Sequence, residues 1–537
     1  MSYLPTIRHL AGNPEALEQT YQHAVKAGEQ AAFAEAMEAA HAEDPANLLL
    51  AAWHYRLAGT AAEVKKQAVA WGWALPWAVL NGLLLWLLSD DRRFMLRVTN
   101  PLTGQVYTLL PVVLLLAAPI SAAVIAWFLT LAGRGRPGRA AAVALGLAAA
   151  AAYVLLTFRG IWPRVYQEQY LGLMALHLGL LAWAGVGAVA LAHRGDATNR
   201  FAFLVKSLEA FVIAGLLAVA GGLFTAITFG LFNALGIQPP EVVQRLFIAG
   251  GGLIVVIAAA LAYDPAAAPV EQPADEGLSK LVALLMRLLL PLAVGVLIVY
   301  LAFIPANWRQ PFENRDVLLT FNGMLFAVIA LLVGATPVRE AELATRGQVW
   351  LRRGAMALAG LAVLVSLYAL AAILYRTAND RLTPNRLVFI GWNVINIAIL
   401  AVLLIRQARV GGGNWLAAMH RTFALGTMLY LTWALVGLVA LPWLFRSDPA
   451  PAWATNLRQS IQKIVYDRPS PLLLKCENSP HVYLLERGQK RWIRDIPTFT
   501  AQGYRWSDVV PWVSCEDLRA TPDGETIPPG SGPPPMP

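Results

Sequence analysis

Charged residues are scarce in this chain, and cysteine is almost absent. Asp, Glu, Lys and Arg make up 14% of the 537 residues, against about a quarter in ordinary soluble domains, and the mean hydropathy is +0.53. This shortage of charge excludes a soluble globular protein. The net charge of +9 lies in short basic clusters between apolar runs, which indicates loops that face anionic lipid and not a nucleic-acid-binding surface.

Metal ligands and acidic residues are also rare inside the apolar segments. His177 has no second His, Cys or carboxylate at ligand spacing, so we predict no metal and no cofactor. The apolar segments contain no series of acidic residues that would indicate a proton path. The membrane polar residues of interest are Arg287, expected to snorkel to the interface, Asn322, expected to bond a neighbouring helix, and Arg386.

The N-terminus lacks the basic start and short apolar core of a secretory signal, so we expect residues 1–67 to stay in the cytosol. Residues 14–47 predict two helices with a turn at Gly28 and a stop at Pro45. The segment resembles a tetratricopeptide unit, in which Phe33 and Ala40 face the partner helix. The resemblance implies docking of a protein partner. The alternative is a plain hairpin that packs against the membrane domain.

Apolar runs dominate the middle of the chain, and each is close to the roughly 20 residues that a membrane-crossing helix needs. They predict eleven spans: 68–88, 107–132, 140–157, 171–192, 208–231, 245–263, 281–304, 317–335, 353–374, 386–405 and 422–445. An odd number of spans places the two ends of the chain on opposite sides of the membrane. The loops on the N-terminal side carry more Lys and Arg, so this side is predicted to be cytoplasmic.

We therefore expect an all-α polytopic protein of the bacterial plasma (inner) membrane, surrounded by membrane lipids, with an extracytoplasmic C-terminus. An acidic, Pro/Ala-rich segment at 264–277 is predicted to be a cytoplasmic linker. It divides a first bundle of six helices (68–263) from a second bundle of five (278–446).

Part of the membrane region resembles a known family. The stretches Leu278–Trp308 and Arg376–Leu404 are similar to a bacterial multi-pass family known only as domain of unknown function 4153. The similarity covers roughly residues 200–410 and includes a Leu-Thr-x-x-Arg pattern that ends at Arg386. The chain departs from the usual aromatic residues at 387–389. This resemblance implies a fold and a membrane location, and no activity.

The chain changes character after the last span. Residues 447–470 predict a stalk, residues 471–527 a small α+β module with two strands around a tight turn, and residues 528–537 a disordered or extended Pro/Gly-rich tail. The module resembles a short repeat of exported bacterial proteins, which implies an extracytoplasmic position. The resemblance is carried by Tyr483, Leu484, Gly488, Lys490, Arg491, Ile493, Phe499, Gly503, Tyr504 and Trp506.

The only two cysteines, Cys476 and Cys515, bracket this module and are not at metal-ligand spacing. Outside the cell a disulfide between them would join the ends of the module, and two unpaired thiols are the alternative. Recognition of a cell-wall or protein partner is assigned to Tyr483, Arg491, Trp492, Tyr504 and Trp506. Most aromatic side chains in so small a module are nevertheless expected in its core.

These features predict a cell-envelope scaffold or sensor that links a cytosolic docking hairpin to an outer recognition module. One alternative is a transporter or lipid-handling permease that uses proline-broken helices, with Pro291 and Asn322 most sensitive to mutation. A second alternative is a membrane glycosyltransferase that uses Asp90 and Asp91 in the first outer loop. An acidic pair beside two arginines is more typical of a solvated helix end, so the enzyme is the least favoured of the three alternatives.

Overall fold

The structure is a computed structural model, and it divides into two compact units, Met1–Ala70 and Trp71–Pro537, which are described separately. The predicted stalk and Gly28 lie outside the residues that it describes. Those residues are 3–27, 29–66, 69–99, 106–133, 135–161, 164–191, 195–272, 277–313, 315–379, 382–410, 413–445, 472–476, 479–486, 489–504, 506, 509–513 and 515–537.

The N-terminal unit is helical. Its helices are α1 (Leu4–His9), α2 (Pro14–Ala27), α3 (Gln30–Glu43) and α4 (Leu48–Lys66). The side chain of Asn13 accepts the amide of Ala16 at the start of α2, and that of Asn47 accepts two amides at the start of α4. Phe33 and Ala40 are buried, as expected for the side of α3 that faces a partner helix. The short helix α1 was not predicted.

The second unit begins with long apolar helices. The first half contains α5 (Trp71–Leu88), α6 (Val112–Ala132), α7 (Pro137–Thr157), α8 (Arg164–Ala190), α9 (Ala197–Ala234), α10 (Glu241–Gln244) and α11 (Leu246–Ala262). The second half contains α12 (Gly277–Phe303), α13 (Gln310–Glu313), α14 (Arg315–Ala335), α15 (Thr345–Asn379), α16 (Pro384–Val410) and α17 (Trp415–Leu444).

Ten helices of the described residues are long and apolar enough to cross a membrane. The span predicted at 317–335 corresponds to α14, whose described apolar part, Phe321–Ala335, is shorter. Helices satisfy their own backbone hydrogen bonds, which hydrocarbon requires. The chain is therefore a multi-pass membrane protein, and the predicted fold class is confirmed.

Two hydrophobic cores hold these helices together. One joins α9, α12, α14 and α15, and the other joins α6, α7 and α8. Helices α16 and α17 contribute buried side chains to both cores, for example Leu400 and Phe423 to the first and Trp392 and Leu438 to the second. Helices from before and after the acidic segment at 264–277 therefore pack against each other.

The span predicted at 107–132 begins too early. Residues Val106–Pro111 form strand β2, which pairs antiparallel with β1 (Met95–Thr99). In this pairing Thr108 lies opposite Arg97. The helix begins only after Pro111, whose backbone is extended. Val, Tyr and Thr at the start of this run favour a strand. Hydropathy alone did not separate them from the apolar helix that follows.

The C-terminal module contains a four-stranded sheet of order β5-β4-β3-β6. Its elements are β3 (Leu472–Cys476), β4 (Val482–Glu486), β5 (Gln489–Ile493), α18 (Ile496–Ala501), β6 (Val509–Val513) and α19 (Cys515–Ala520). Strands β3, β4 and β5 pair antiparallel, and β6 pairs parallel to β3. The predicted disulfide is present, and it joins Cys476 at the end of β3 to Cys515 at the start of α19.

The segment after α19 runs along this sheet. It includes the tail at 528–537, which composition predicted to be disordered or extended and in which the carbonyl oxygen of Pro535 accepts the Tyr483 hydroxyl. Asp523 and Ile527 lie parallel to Lys490 and Ile493 of β5. The side chain of Ile527 is buried in the same core as Phe499. The reason is tertiary: β5 is an outer strand, and its free backbone groups bind the segment.

Candidate functional site

The residues assigned to recognition in the C-terminal module fall into two groups. Trp506 is 54% exposed, and its ring stacks on Phe499 at 4.7 Å between centroids. Tyr504 is partly buried and meets the same Phe499 ring edge-on at 5.7 Å. Trp506 is thus the assigned aromatic side chain that is most available to a partner.

The other three assigned residues contact the C-terminal segment, Tyr483 and Arg491 through their side chains and Trp492 through its backbone carbonyl, which accepts the amide of Ile527. Tyr483 is fully buried, and its hydroxyl donates to the carbonyl oxygen of Pro535 at 2.8 Å. The Nε of Arg491 donates to the carbonyl oxygen of Glu525 at 2.8 Å, while its Nη1 pairs with Glu486. Trp492 opposes Tyr483 in the sheet. These residues therefore hold the module's own chain.

Lys490 also contacts the C-terminal segment, although it was not among the residues assigned to recognition. It is buried, and its Nζ donates to the carbonyl oxygen of Thr521 at 2.6 Å and lies 2.9 Å from the Asp523 carboxylate. Burial raises the pKa of the neighbouring Tyr483 hydroxyl to about 12, and the charge of Asp523 adds to this effect. Tyr483 is consequently a neutral donor at physiological pH.

Asp495 fixes the start of α18. Its carboxylate accepts the backbone amide of Thr498 at 2.8 Å and the guanidinium of Arg494 at 2.9 Å. The pKa of Asp495 is lowered to about 2, first by the hydrogen bonds of Thr498 and then by that of Arg494. The carboxylate is thus charged at any pH in which cells grow.

Of the acidic pair Asp90 and Asp91, the Asp90 carboxylate lies between two arginines. The Asp90 carboxylate lies 3.6 Å from Arg245 and 3.7 Å from Arg93. The guanidinium of Arg245 also donates to Ser89 Oγ and to the carbonyl oxygen of Trp86. Asp90 therefore joins the end of α5 to the residue before α11. In the part of the chain that the structure describes, no three His, Cys, Asp or Glu residues form a group that could hold a metal ion.

The predicted membrane polar residues bind neighbouring helix ends and side chains. The Nε of Arg287 donates to the carbonyl oxygen of Ala335, the last residue of α14, at 3.1 Å, and its Nη2 lies 3.7 Å from Glu342. The Nδ2 of Asn393 donates to Asn322 Oδ1 at 2.7 Å, which is the expected interhelical bond. The backbone amide of Arg386 donates to the Thr383 hydroxyl before α16.

Several buried polar atoms between α8, α16 and α17 have no hydrogen-bond partner among the described residues. They are His177 Nε2, Trp392 Nε1, Asn393 Oδ1 and Asn396 Nδ2. The Nδ1 of His177 lies 2.7 Å from the carbonyl oxygen of Leu173, to which it must donate. In the neutral ring, Nε2 is then an acceptor. It abuts the backbone of Gly437 on α17, where an added Cβ would lie 2.8 Å away.

A large apolar cavity of about 1030 Å³ lies between α5, α6, α8, α9 and α11. Among the described residues that line it, Lys206 is the only charged one. Phe211 and Phe224 line it and are 76% and 72% exposed, so the cavity is open on the side of α9. The apolar runs of the sequence do not indicate this cavity, because it depends on the position of α9 relative to the neighbouring helices.

Lys206 is part of a buried polar group at this cavity. Its Nζ lies 2.7 Å from the Glu209 carboxylate and donates to Ser279 Oγ at 2.9 Å. Ser279 in turn donates to Glu209 at 2.8 Å. Lys206 and Glu209 are three residues apart, so their pairing on one face of α9 follows from the helical repeat. The contact with Ser279 of α12 does not follow from the sequence.

Comparisons of the chain with family models, with curated proteins and with solved structures found no match. The resemblances to the membrane family, to tetratricopeptide units and to the exported repeat stay predictions from the sequence.

Proposed function

We propose that the protein is a scaffold or sensor of the bacterial cell envelope, in which the membrane helices carry a recognition module on the extracytoplasmic side. The observation that carries this proposal is the Cys476–Cys515 disulfide, since structural disulfides persist in oxidising compartments. The module also has its own core and sheet. We assign recognition to this module and docking of a partner to the cytosolic hairpin.

The exposed chemistry of the module suits recognition of protein or cell-wall glycan. Trp506 offers a flat aromatic face that Phe499 supports from below. Exposed Ile496 and Arg494 lie in or next to the same short helix, α18. Aromatic residues and arginine supply much of the binding energy at protein interfaces.

Complementation tests this function. A strain that lacks the gene is supplied with the full chain, with a chain lacking residues 447–537, or with Trp506→Ala, and growth under envelope stress is compared at equal membrane abundance. We expect the deletion to abolish complementation and Trp506→Ala to weaken it. Full complementation by the deletion variant would contradict the proposal.

A lipid-handling permease is the second candidate, and the apolar cavity favours it. Ligand sites are concave and mostly apolar with few polar groups, as this cavity is with Lys206 on its wall. Gly222 lines the cavity, and Gly215 of the same helix does not; a side chain at either position meets open space. If the cavity carries the function, Gly222→Leu should abolish complementation and the matched control Gly215→Leu should not.

A further inference from the structure

The outer edge of the C-terminal sheet is already occupied by an extended peptide, the chain's own C-terminal segment. Four backbone hydrogen bonds join it to β5 and the residue after it. Lys490 N–H donates to Pro522 O, Gly524 N–H to Lys490 O, Ile527 N–H to Trp492 O and Arg494 N–H to Ile527 O, at 2.8 to 3.0 Å. This is the pattern by which domains bind peptides through strand addition.

Side chains make this edge selective. The ammonium group of Lys490 meets the Asp523 carboxylate, and Ile527 enters the module's core. Gly524 passes so close to the sheet that an added Cβ would lie 3.0 Å from Arg491 Cγ. The edge thus favours an acidic residue, then glycine, and a branched aliphatic residue three positions after the glycine. Of the two residues between them, Glu525 is bound only through its backbone carbonyl by Arg491, whereas the side chain of Thr526 is buried.

The segment is suited to leave the edge. It follows the last helix of the module, so it can dissociate without breaking any other strand pair. Eight of the sixteen residues from Pro522 to Pro537 are exposed, and between Pro522 and Ile527 only Thr526 and Ile527 are buried. Regions with few buried apolar contacts open locally at lower free energy than a core strand.

We infer that the β5 edge is a binding site for an extended peptide of a protein partner, with the pattern acidic-Gly-x-x-aliphatic, and that residues 522–537 occupy it until the partner displaces them. This inference rests on the proposed recognition function, and it names the partner's chemistry. Of the residues shared with the exported repeat, Tyr483, Lys490, Arg491 and Ile493 contact the segment.

The test uses the purified membrane protein in detergent, with residues 522–537 deleted and the disulfide intact. A fluorescent synthetic peptide of residues 522–537 should bind it saturably, and the intact protein should bind the same peptide far more weakly. Peptides with Asp523→Lys or Ile527→Glu should bind at least about tenfold more weakly. The matched control is Glu525→Gln, which should bind normally because the edge reads only the backbone there.

Absence of saturable binding to a folded truncated protein would overturn the inference. If the truncated module does not fold, a protease site placed after Thr521 allows the segment to be cut after folding, and excess peptide should then exchange with it. Failure to exchange assigns the segment to the fixed core and also overturns the inference. Dimers in which residues 522–537 of each chain bind the other chain, without binding of the added peptide, would also overturn the inference. None of these failures affects the complementation result, so the two proposals are separable.

Discussion

The ammonium group of Lys206 lies 2.7 Å from the Glu209 carboxylate, and the two side chains are only 6% and 7% exposed. Ser279 of α12 bonds both. The pair therefore fastens α9 to a helix from beyond the acidic segment at 264–277. A buried ion pair contributes little net stability over an apolar pair, but one charge without the other is costly.

Removing one partner of this pair should destabilise the protein much more than replacing both partners by apolar residues. Glu209→Ala leaves the Lys206 charge buried, and we expect a loss of about 3–5 kcal/mol of stability. The double variant Lys206→Met with Glu209→Leu should lie close to the wild type. Thermal unfolding in detergent measures both, and equal losses in the two variants would show that the pair is not buried as described.

The contact between His177 and Gly437 predicts a steric effect. A methyl group at position 437 would lie 2.8 Å from Nε2 and 3.1 Å from Cδ2 of His177. Gly437→Ala should therefore lower stability by about 1–3 kcal/mol, the usual effect of overpacking a core. At Gly360 of α15 nothing lies within 4 Å of an added Cβ. Gly360→Ala should be neutral or stabilising, because alanine favours helices. An unchanged unfolding temperature for Gly437→Ala would contradict this packing.

The disulfide should govern the stability of the C-terminal module alone. Cys476 and Cys515 are 39 residues apart in sequence, and closing such a loop stabilises by about 3–4 kcal/mol in the chain-entropy description. Reduction, or Cys476→Ser with Cys515→Ser, should raise hydrogen exchange in strands β3–β5. Exchange in α15 and α16 serves as the internal control and should not change. Equal exchange with and without the bond would refute this role.

Acid should weaken the module through Asp495. Its folded pKa, about 2, lies below the unfolded value of about 3.9. Its contribution is therefore complete above about pH 4 and is lost as the pH falls toward 2. Hydrogen exchange of α18 should rise over this window more steeply in the wild type than in Asp495→Asn. Glu525→Gln removes another exposed carboxylate of the module and should keep the wild-type slope. Identical slopes in the wild type and Asp495→Asn would contradict the assignment.

Hydropathy predicted the existence of the membrane helices well and their ends poorly. The span predicted at 208–231 is the middle of α9, which runs from Ala197 to Ala234. Its start depends on Asp196, whose carboxylate accepts two backbone amides, and the turns before residue 208 contain Lys206, which is buried with Ser279 of another helix as a hydrogen-bond partner. Helix ends of this kind are set by caps and tertiary contacts, which a window of apolar residues does not contain.

The C-terminal segment illustrates the same limit for sites. Its Pro and Gly content is typical of disorder, and no local pattern shows that β5 would present free backbone groups beside it. The cysteine pair was predictable because only two cysteines exist and they bracket one module. The role of Lys490 could not be predicted, because its partners Thr521 and Asp523 follow it in the chain by about thirty residues.

The most direct test of the account is the side of the membrane on which the module lies. Intact cells are treated with a membrane-impermeant maleimide, with and without prior reduction, and labelling of Cys476 and Cys515 is measured. The account predicts labelling of intact cells only after reduction, because the thiols are bonded and extracytoplasmic. Labelling that requires cell lysis but no reductant would place free thiols inside the cell and would contradict the proposed function.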